Sequence, residues 1–471
     1  MFNNDQDFSF DFKQFFSPLT TKKAIYIIAV IGFIVYFNCL FNGFVLEDNV
    51  LIVHNPADVY FFNIERIFGA NNFNQAGQYR PISVLYFAVV YHLFGLTTFF
   101  YHIIQVALHI TNAVLLYLLL KKFFDNIISF SLALIFLVHP MNVESVSWIS
   151  GSMSVLLFVF GISALLPSLK DRITFSRLLL ISGLLLLSVL SKEPGVFFLF
   201  LVPILRILYW KKHSFVFVLS TFAVLLIYLT LRVRAIGFEY TATYLQPIEH
   251  LSFLQRVFNI PRIIFFYIGT FLFPHNLAIR HNWTITTLSF QNFILPLFLD
   301  IIFFLSILLL GFYVHKQHRE QWKIFIFFFL WFAIGLGMII QIVPLDATVA
   351  DRWMYFPMAG LLGIIGVGLQ TIQIHSSRIK QTAAIATVVI ISILSIRTIV
   401  RNANWQDSIT LYTHDIQVDD DYTKEGDLGM ILMDKGMKDQ AYQHFEKAVE
   451  LNPRSKAYLF QYNWVGNHIQ R

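Results

Sequence analysis

Acidic and basic side chains of this sequence occur in short polar segments between long apolar runs. The first such segment, GFVLEDNVLIVHNP, carries Glu47 beside Asp48. Two neighbouring carboxylates can provide a general base, raise one another's pKa or share a divalent metal ion. An acidic pair at the end of a helix is also typical of a solvated turn, so a structural interpretation stays open.

Three later segments combine charged and aromatic residues in the same way. LVHPMNVESVSWISG holds His139 and Glu144, LSKEPG holds Lys192 and Glu193, and VADRWMYFP holds Asp351, Arg352 and Tyr355. Each segment also has a structural interpretation. The first is typical of a polar hairpin between spans, the second of an interfacial ion pair, and the third of an anchor at the membrane interface. Their significance depends on whether the fold brings them together.

The composition indicates a membrane protein. Of the 471 residues, 57% are hydrophobic and 13% are charged, whereas a soluble domain has about 25% charged residues. The net charge of +6 comes from short Lys and Arg clusters between apolar runs, which indicates membrane topology rather than nucleic-acid binding. With Cys39 as the single cysteine, no internal disulfide is possible.

About twelve apolar runs approach the ~20 residues that cross ~30 Å of hydrocarbon. They cover residues 24–41, 99–120, 127–138, 146–166, 178–190, 196–209, 215–231, 257–273, 293–314, 324–343, 354–371 and 383–400. We therefore predict an all-α, polytopic membrane domain over 24–400 with about 11–13 transmembrane helices. Residues 1–23 precede it, and because no small-residue cleavage site follows the first run, that run is expected to be an anchor rather than a signal peptide.

The basic clusters predict the orientation, because Lys and Arg favour cytoplasmic loops. The clusters expected to be cytoplasmic are Lys22/Lys23, Lys121/Lys122, Lys170/Arg172/Arg177, Lys211/Lys212, Lys316/Arg319/Lys323 and Arg378/Lys380. The long loop 42–98 and the turns 139–145, 191–195 and 344–352 are then external. Three runs lie between Lys212 and Lys316, where an even number is required, so one is re-entrant or misassigned; residues 232–256 are the expected place.

All four polar segments fall on the predicted external face. A site there would offer carboxylates for proton transfer, and Lys192 and Arg352 for holding a phosphate. That combination suits a lipid-phosphate-linked sugar donor, whose lipid tail would lie between helices.

Residues 401–471 are polar and carry a helical repeat at about 422–455. Eight residues fall at tetratricopeptide-repeat spacings: Leu428, Gly429, Leu432, Gly436, Ala441, Phe445, Ala448 and Pro453. One repeat cannot bury its own apolar face, so a partner surface is expected. This partner surface is expected to be the helix around 405–417, the unit 456–471 or another protein.

These motifs, with YRPISVLYFAVVYHLFGL in the first loop and RNANWQDSITLY before the repeat, resemble the transmembrane and tetratricopeptide repeat O-mannosyltransferases and their bacterial relatives. The order of motifs agrees along nearly the whole chain. The resemblance implies a glycosyltransferase C fold, a catalytic acidic residue in the first external loop, and a polyprenyl-phosphate or dolichyl-phosphate sugar as donor. The single repeat is shorter than the arm of the animal relatives, which leaves acceptor recognition open.

The resemblance implies residue roles one by one. Asp48 corresponds to the second acidic residue of the family's loop-one pair and is the expected catalytic base, with Glu47 and Glu144 as further catalytic candidates. Lys192, Arg352 and Arg80 are expected to bind the donor phosphate. Other site-lining residues are His139, Glu193, Asp351 and Tyr355. If a divalent metal such as Mg or Mn takes part, then Glu47, Asp48 and Glu144 are its expected ligands.

The expected function is transfer of a hexose, mannose or a similar sugar, to a hydroxyl group of a protein or glycan, with inversion at the sugar carbon. The transfer is expected on the external face of a membrane, which in a prokaryote is the plasma or inner membrane. Two alternatives stay open: a lipid-linked glycan polymerase or ligase, and a non-enzymatic scaffold that recruits a protein partner through the repeat. No nucleic acid is expected as a partner. A transporter is disfavoured, because the sequence shows no duplicated half with matched broken spans.

Overall fold

The computed structural model describes residues 19–55, 59, 63–69, 77–209, 214–237, 247–372, 376–453 and 455–469. The basic cluster Lys211/Lys212 and most of the N-terminal segment 1–23 lie outside these ranges. Within them the protein is helical, apart from loops and an isolated antiparallel bridge between His281 and Val349. The all-α prediction is confirmed.

The helices follow one another along the chain with short connections. They are α1 (Thr21–Val35), α2 (Ile64–Gly69), α3 (Pro81–Phe94), α4 (Thr98–Leu120), α5 (Asn126–Val138), α6 (Val143–Ser147), α7 (Ser152–Ser168), α8 (Phe175–Ser191), α9 (Val196–Tyr209), α10 (Ser214–Ile236), α11 (Phe253–Leu272), α12 (Leu295–Gln317), α13 (Arg319–Ile339), α14 (Tyr355–Thr371), α15 (Ser377–Asn404), α16 (Ser408–Val418), α17 (Tyr422–Asp434), α18 (Lys438–Leu451) and α19 (Lys456–Ile469).

Seven helical stretches are long and apolar enough to cross a bilayer, and α5 with its continuation to Ser147, bent by 51°, passes the same test as a pair. The stretches contain α4, α7, α10, α12, α13, α14 and α15. With seven such stretches, or eight if the bent pair is one span, in the described part of the chain, the protein is an integral, multi-pass membrane protein.

Helix α11 resolves the odd number of crossings between Lys212 and Lys316. It is 20 residues long, yet it is not among the apolar spans, since Gln255, Arg256, Asn259 and Arg262 give it a polar face. Its C-terminal end lies against the first residue of the bent turn after α5, where the His139 ring stacks on Phe271 at 5.1 Å. Helices α10 and α12 pass the length and composition test and α11 does not, so the run 257–273, rather than residues 232–256, is the one that differs from a span.

The interior of the bundle is packed with aromatic rings and small residues. Gly360 of α14 lets that helix approach α13 closely, because a Cβ there would lie 2.5 Å from the backbone nitrogen of Phe332. Trp331 is fully buried and donates from its indole nitrogen to the Phe356 carbonyl at 3.1 Å. Lipid tails are as apolar as the side chains, so the hydrophobic effect does not drive membrane helices together. Close packing at small residues such as Gly360 stabilises their association instead.

The predicted external loop 42–98 contains two helices that the sequence analysis did not assign. Helix α3 begins at Pro81, a residue suited to the first helical position because it has no backbone N–H to leave unpaired. It ends at Gly95, whose φ of +61° is a conformation that glycine adopts readily. This helix places Arg80, at its N-cap, against the end of α8.

The C-terminal residues fold as helices at the predicted repeat positions. Helices α17 and α18 form a hairpin that buries Leu428, Leu432, Ala441, Phe445 and Ala448. Helix α16 packs on one side of this hairpin and α19 on the other. Both partner surfaces expected within the chain are therefore present.

Candidate active site

The serine-rich segment, residues 143–154, organises the candidate site. It comprises α6, one turn of 3-10 helix and the start of α7. Gln105 of α4 holds the segment in place, because its amide donates to the carbonyls of Ser145 and Trp148 at 2.8 and 2.7 Å. Gly151 allows the tight fold, since a Cβ there would lie 2.6 Å from the Glu144 carbonyl oxygen.

Asp48 is fully buried against this segment. Its Oδ1 accepts hydrogen bonds from the Ser150 backbone N–H at 2.8 Å and the Ser150 hydroxyl at 2.5 Å. Its Oδ2 accepts from the Val45 N–H at 3.1 Å. Burial raises the pKa of Asp48 to about 7, although these hydrogen bonds favour the ionised form. A group with that pKa can take up a proton near neutral pH.

Glu144 and Arg352 form a buried ion pair across the segment. The Arg352 guanidinium donates to Glu144 Oε1 at 2.5 Å, and the Arg352 backbone N–H donates to Oε2 at 2.7 Å. The guanidinium also lies 5.6 Å from the Trp148 ring and reaches exposed Asp346 at 3.3 Å. Glu144 therefore holds Arg352 in position.

Arg80, Glu193 and Lys192 meet at the other end of the segment. The Arg80 guanidinium binds both oxygens of Glu193 at 2.8–3.1 Å. Burial would raise the pKa of Glu193, but the Arg80 charge outweighs it and holds that pKa below its usual range. Two expected phosphate ligands, Arg80 and Arg352, thus already carry carboxylate partners.

Lys192 differs from these two arginines. Its Nζ donates to the Ser154 hydroxyl at 2.9 Å, and no carboxylate lies within ion-pair distance in the described residues. Burial, with the nearby charges of Arg80 and Arg352, lowers the pKa of Lys192 to about 7. An incoming anion would be the missing counter-charge.

The remaining expected site residues lie around this core. Glu47 is exposed beside Asp48. Asp351 is buried, and within the described ranges its Oδ1 has no hydrogen-bond partner. His139 is held by Phe271, whose carbonyl lies 3.0 Å from Nε2. Tyr355 points into the helix core, where its hydroxyl contacts His109 and Asn112 at 2.8 and 2.9 Å.

The expected metal ligands are not gathered into one set. In the described ranges no three His, Cys, Asp or Glu side chains come together as a metal site. Asp48 is directed at Ser150, Glu144 at Arg352, and Glu47 at the surface. The residues present therefore do not fit a shared divalent ion.

Sequence reasoning missed the partners that orient the charged groups. Ser150, Ser154 and Gln105 were not identified, although five serines within VESVSWISGSMS, in a largely apolar stretch, are a signal of buried hydrogen bonding. The loop that follows α11 was also missed. Its Ile279 carbonyl accepts from Arg352 at 3.2 Å, and its Ile279 N–H donates to Asp415 of α16 at 2.6 Å.

This loop joins the C-terminal helices to the site. Beside Ile279, Arg280 pairs with Asp427 at 2.8 Å and His281 with Asp419 at 3.3 Å. Asp415 also binds Arg401 at the end of α15, at 2.8 Å. The C-terminal unit is therefore anchored directly to the end of the bundle that carries Asp48 and Lys192.

No family model matches this chain. It is 25% identical over 462 residues to the protein O-mannosyl-transferase F38B6.6 of Caenorhabditis elegans, a match over 92% of this chain and 63% of the relative. The chain is similar to the protein O-mannosyl-transferases. The resemblance drawn from its motifs is confirmed.

Further O-mannosyl-transferases match in the same way. The human protein O-mannosyl-transferase TMTC3 is 22% identical over 472 residues, 92% of this chain and 52% of the relative. The mouse TMTC1 protein is 32% identical over a shorter stretch of 148 residues. The chain thus spans between half and two thirds of the length of the first two O-mannosyl-transferases. Among solved structures, ArnT from Cupriavidus metallidurans bound to undecaprenyl phosphate aligns with 90% of this chain and 75% of its own, at TM-score 0.42 and 12% identity.

Proposed function

We propose that the chain is a membrane glycosyltransferase that transfers a hexose, mannose as in the names of its relatives, from a polyprenyl-phosphate donor to a hydroxyl group of a protein or glycan. The observation that carries the proposal is the meeting of buried Asp48 with Arg80, Lys192 and Arg352 along the serine-rich segment. The similarity to O-mannosyl-transferases over 92% of the chain supports it. We also propose that this end of the bundle, with the C-terminal unit, faces the external side.

Asp48 acts as the general base in this proposal. The acceptor hydroxyl oxygen attacks the anomeric carbon of the sugar, and the bond from that carbon to the phosphate oxygen breaks with inversion. The acceptor proton passes to Asp48, and the lipid phosphate leaves with the bonding electron pair. Three of the roughly four acceptor positions of the carboxylate are occupied, which leaves one for the acceptor proton.

Lys192 is the proposed ligand of the departing phosphate. It is the cation of the cluster without a carboxylate at ion-pair distance in the described ranges, so a phosphate would gain its charge without displacing an existing pair. Arg80 and Arg352 add positive potential while remaining tied to Glu193 and Glu144. Stabilisation of charge that develops in the transition state is usually the largest contribution to catalysis.

The test is transfer by membranes from cells that overexpress the chain, incubated with labelled polyprenyl-phosphate mannose and, separately, an undecaprenyl-diphosphate glycan. We expect label transfer from the first donor, abolished by Asp48→Asn. Glu47→Gln is the matched control, because Glu47 is exposed next to Asp48. Full transfer by Asp48→Asn would contradict the assignment of Asp48 as the base. Transfer from the diphosphate donor alone would favour a lipid-linked glycan polymerase or ligase. Transfer from neither donor would favour a non-enzymatic scaffold.

A further inference from the structure

Asp300 is an acidic residue in the middle of an apolar stretch of the spanning helix α12. It lies in FILPLFLDIIFF of α12, ten residues after the span begins at Phe290, which is about 15 Å along the helix axis. The residue is 5% exposed, and neither carboxyl oxygen has a hydrogen-bond partner among the described residues. An ionisable side chain at membrane depth is costly and marks a functional site by default.

The Asp300 side chain lines a cleft of about 380 Å³ between α11 and α12. That volume is within the range of small-molecule sites, ~300–1,000 Å³. Apart from Asp300 the lining is aliphatic or aromatic, and includes Ile260, Pro261 and Ile264 of α11 with Leu297, Ile301 and Phe304 of α12. None of the candidate active-site residues contributes to it.

The cleft opens towards the bilayer. Ile301, Leu305 and Leu308 lie at its rim and are 50–59% exposed, on a helix whose outer surface is almost wholly apolar. A molecule that enters must therefore come from the hydrocarbon and must itself be mostly apolar. A second helix is about 10 Å wide, which is too wide to enter a cleft of this volume.

The chemistry of the carboxyl group limits the ligand further. An isolated carboxyl in hydrocarbon avoids charge, and as the neutral acid it offers one O–H donor and acceptor oxygens. A hydroxyl group can satisfy both. An anionic headgroup would meet no cation among the lining residues.

We propose that this cleft binds a neutral, single-chain lipid whose terminal hydroxyl hydrogen-bonds with Asp300 while its hydrocarbon chain lies between α11 and α12. The site is separate from the proposed donor site and does not depend on the proposed activity. The bound lipid would fill the gap between α11, which carries the His139 contact, and the spanning helix α12.

The test uses the purified full-length protein in lipid nanodiscs with a photoactivatable, labelled hexadecanol, and the corresponding hexadecanoic acid as the anionic probe. We expect the alcohol to label peptides from α11 and α12, and Asp300→Leu to lower that labelling by about fivefold or more, the effect of one lost hydrogen bond. Ser306→Leu is the matched control, since Ser306 lies on the same helix and bonds only to the Phe303 carbonyl. Asp300→Asn should retain labelling, because an amide also donates and accepts.

A melting-temperature measurement distinguishes loss of lipid binding in Asp300→Leu from a folding defect of that variant. Hexadecanol should raise the melting temperature of the wild type but not of Asp300→Leu, because a ligand stabilises the state that binds it. Equal labelling of wild type and Asp300→Leu would overturn the proposal. Equal labelling by the acid and the alcohol would overturn the hydroxyl assignment, and labelling spread evenly over the spans would show that the cleft is no site.

Discussion

Ser150 donates two hydrogen bonds to one carboxylate oxygen of Asp48, from its backbone N–H at 2.8 Å and from its hydroxyl at 2.5 Å. Hydrogen bonds to an ionised carboxylate favour the charged form. Burial acts in the opposite direction, and the balance puts the pKa of Asp48 at about 7. Ser150 therefore sets the pH at which the proposed base becomes available.

Ser150→Ala should move the acid limb of the pH profile upward. Loss of the hydroxyl removes a charge-assisted hydrogen bond worth about 1.5–3 kcal/mol, so the pKa of Asp48 should rise by about 1–2 units. Because the base works only when ionised, kcat/KM should fall at pH 7 and recover at higher pH. The measurement is sugar transfer from pH 5.5 to 9.

Ser152→Ala serves as the control, because the Ser152 hydroxyl is buried on the same segment and has no hydrogen-bond partner in the part of the chain that the structure describes. Its profile should match that of the wild type. An unshifted acid limb in Ser150→Ala would contradict the assignment of Asp48 as the titrating base.

Lys192 should make donor binding depend on pH. Burial lowers the pKa of Lys192 to about 7, so the ammonium is charged below that pH and loses its charge as the pH rises through it. KM for the lipid-phosphate donor should therefore increase above pH 7 in the wild type. In Lys192→Arg the charge persists, and KM should stay constant over the same range.

Lys192→Met is the complementary variant. It should raise KM for the donor at every pH, by more than Lys121→Met, which changes a lysine at the opposite end of the bundle. The same pH dependence of KM in wild type and Lys192→Arg would argue against a phosphate contact.

Much of the fold could be predicted from the sequence because spanning a bilayer constrains composition strongly. All twelve predicted apolar runs contain a helix. The run 257–273 coincides with α11, whose apolar residues lie on one face and resemble a span when only their number is considered. Helix α3 lay outside the prediction because the basic clusters assigned residues 42–98 to an external loop.

The charged residues of the candidate site could be predicted from the sequence, but the contacts between them could not. Charge bias predicted that Asp48, Glu144, Lys192 and Arg352 share the external face, and the structure places all four along the serine-rich segment. Sequence spacing carries no information on a contact such as Arg352 with Glu144, which are 208 positions apart. The expectation that Arg80 and Arg352 hold phosphate stays a prediction, now with carboxylate partners beside both.

Removing one member of the buried Glu144–Arg352 pair should destabilise the fold strongly. Glu144 is 2% exposed, and removing one member of a buried ion pair leaves an uncompensated charge at a cost of about 3–5 kcal/mol. Glu144→Gln should therefore lower the melting temperature in detergent markedly. The double variant Glu144→Gln/Arg352→Gln should lower it less than the two single effects added together.

Asp346→Asn is the matched control for that cycle. Asp346 also contacts Arg352, but its side chain is 64% exposed, and exposed pairs contribute about 0–1 kcal/mol. Additive single effects in the Glu144–Arg352 cycle would show that the pair is not coupled.

Asp415 should control the docking of the C-terminal helices onto the bundle. Burial would raise its pKa, but Arg401 at 2.8 Å and His414 hold the pKa of Asp415 to about 2. A depressed carboxyl pKa contributes stability that is present above pH 4 and is lost as the pH falls towards 2. Asp415→Asn should remove this contribution at neutral pH and also weaken the contact with Ile279, which in turn touches Arg352.

Hydrogen exchange of the full-length protein in detergent measures that docking. In Asp415→Asn, amides of residues 408–451 should exchange faster while those of α13 and α14 stay protected, because the Asp415 carboxylate joins the C-terminal helices to the loop after α11 and to the end of α15. Asp439→Asn, an exposed change on α18, should leave the pattern unaltered. Faster exchange throughout the bundle would mean that Asp415 supports the whole fold, and unchanged exchange would mean that Arg280 and His281 suffice to hold the C-terminal unit.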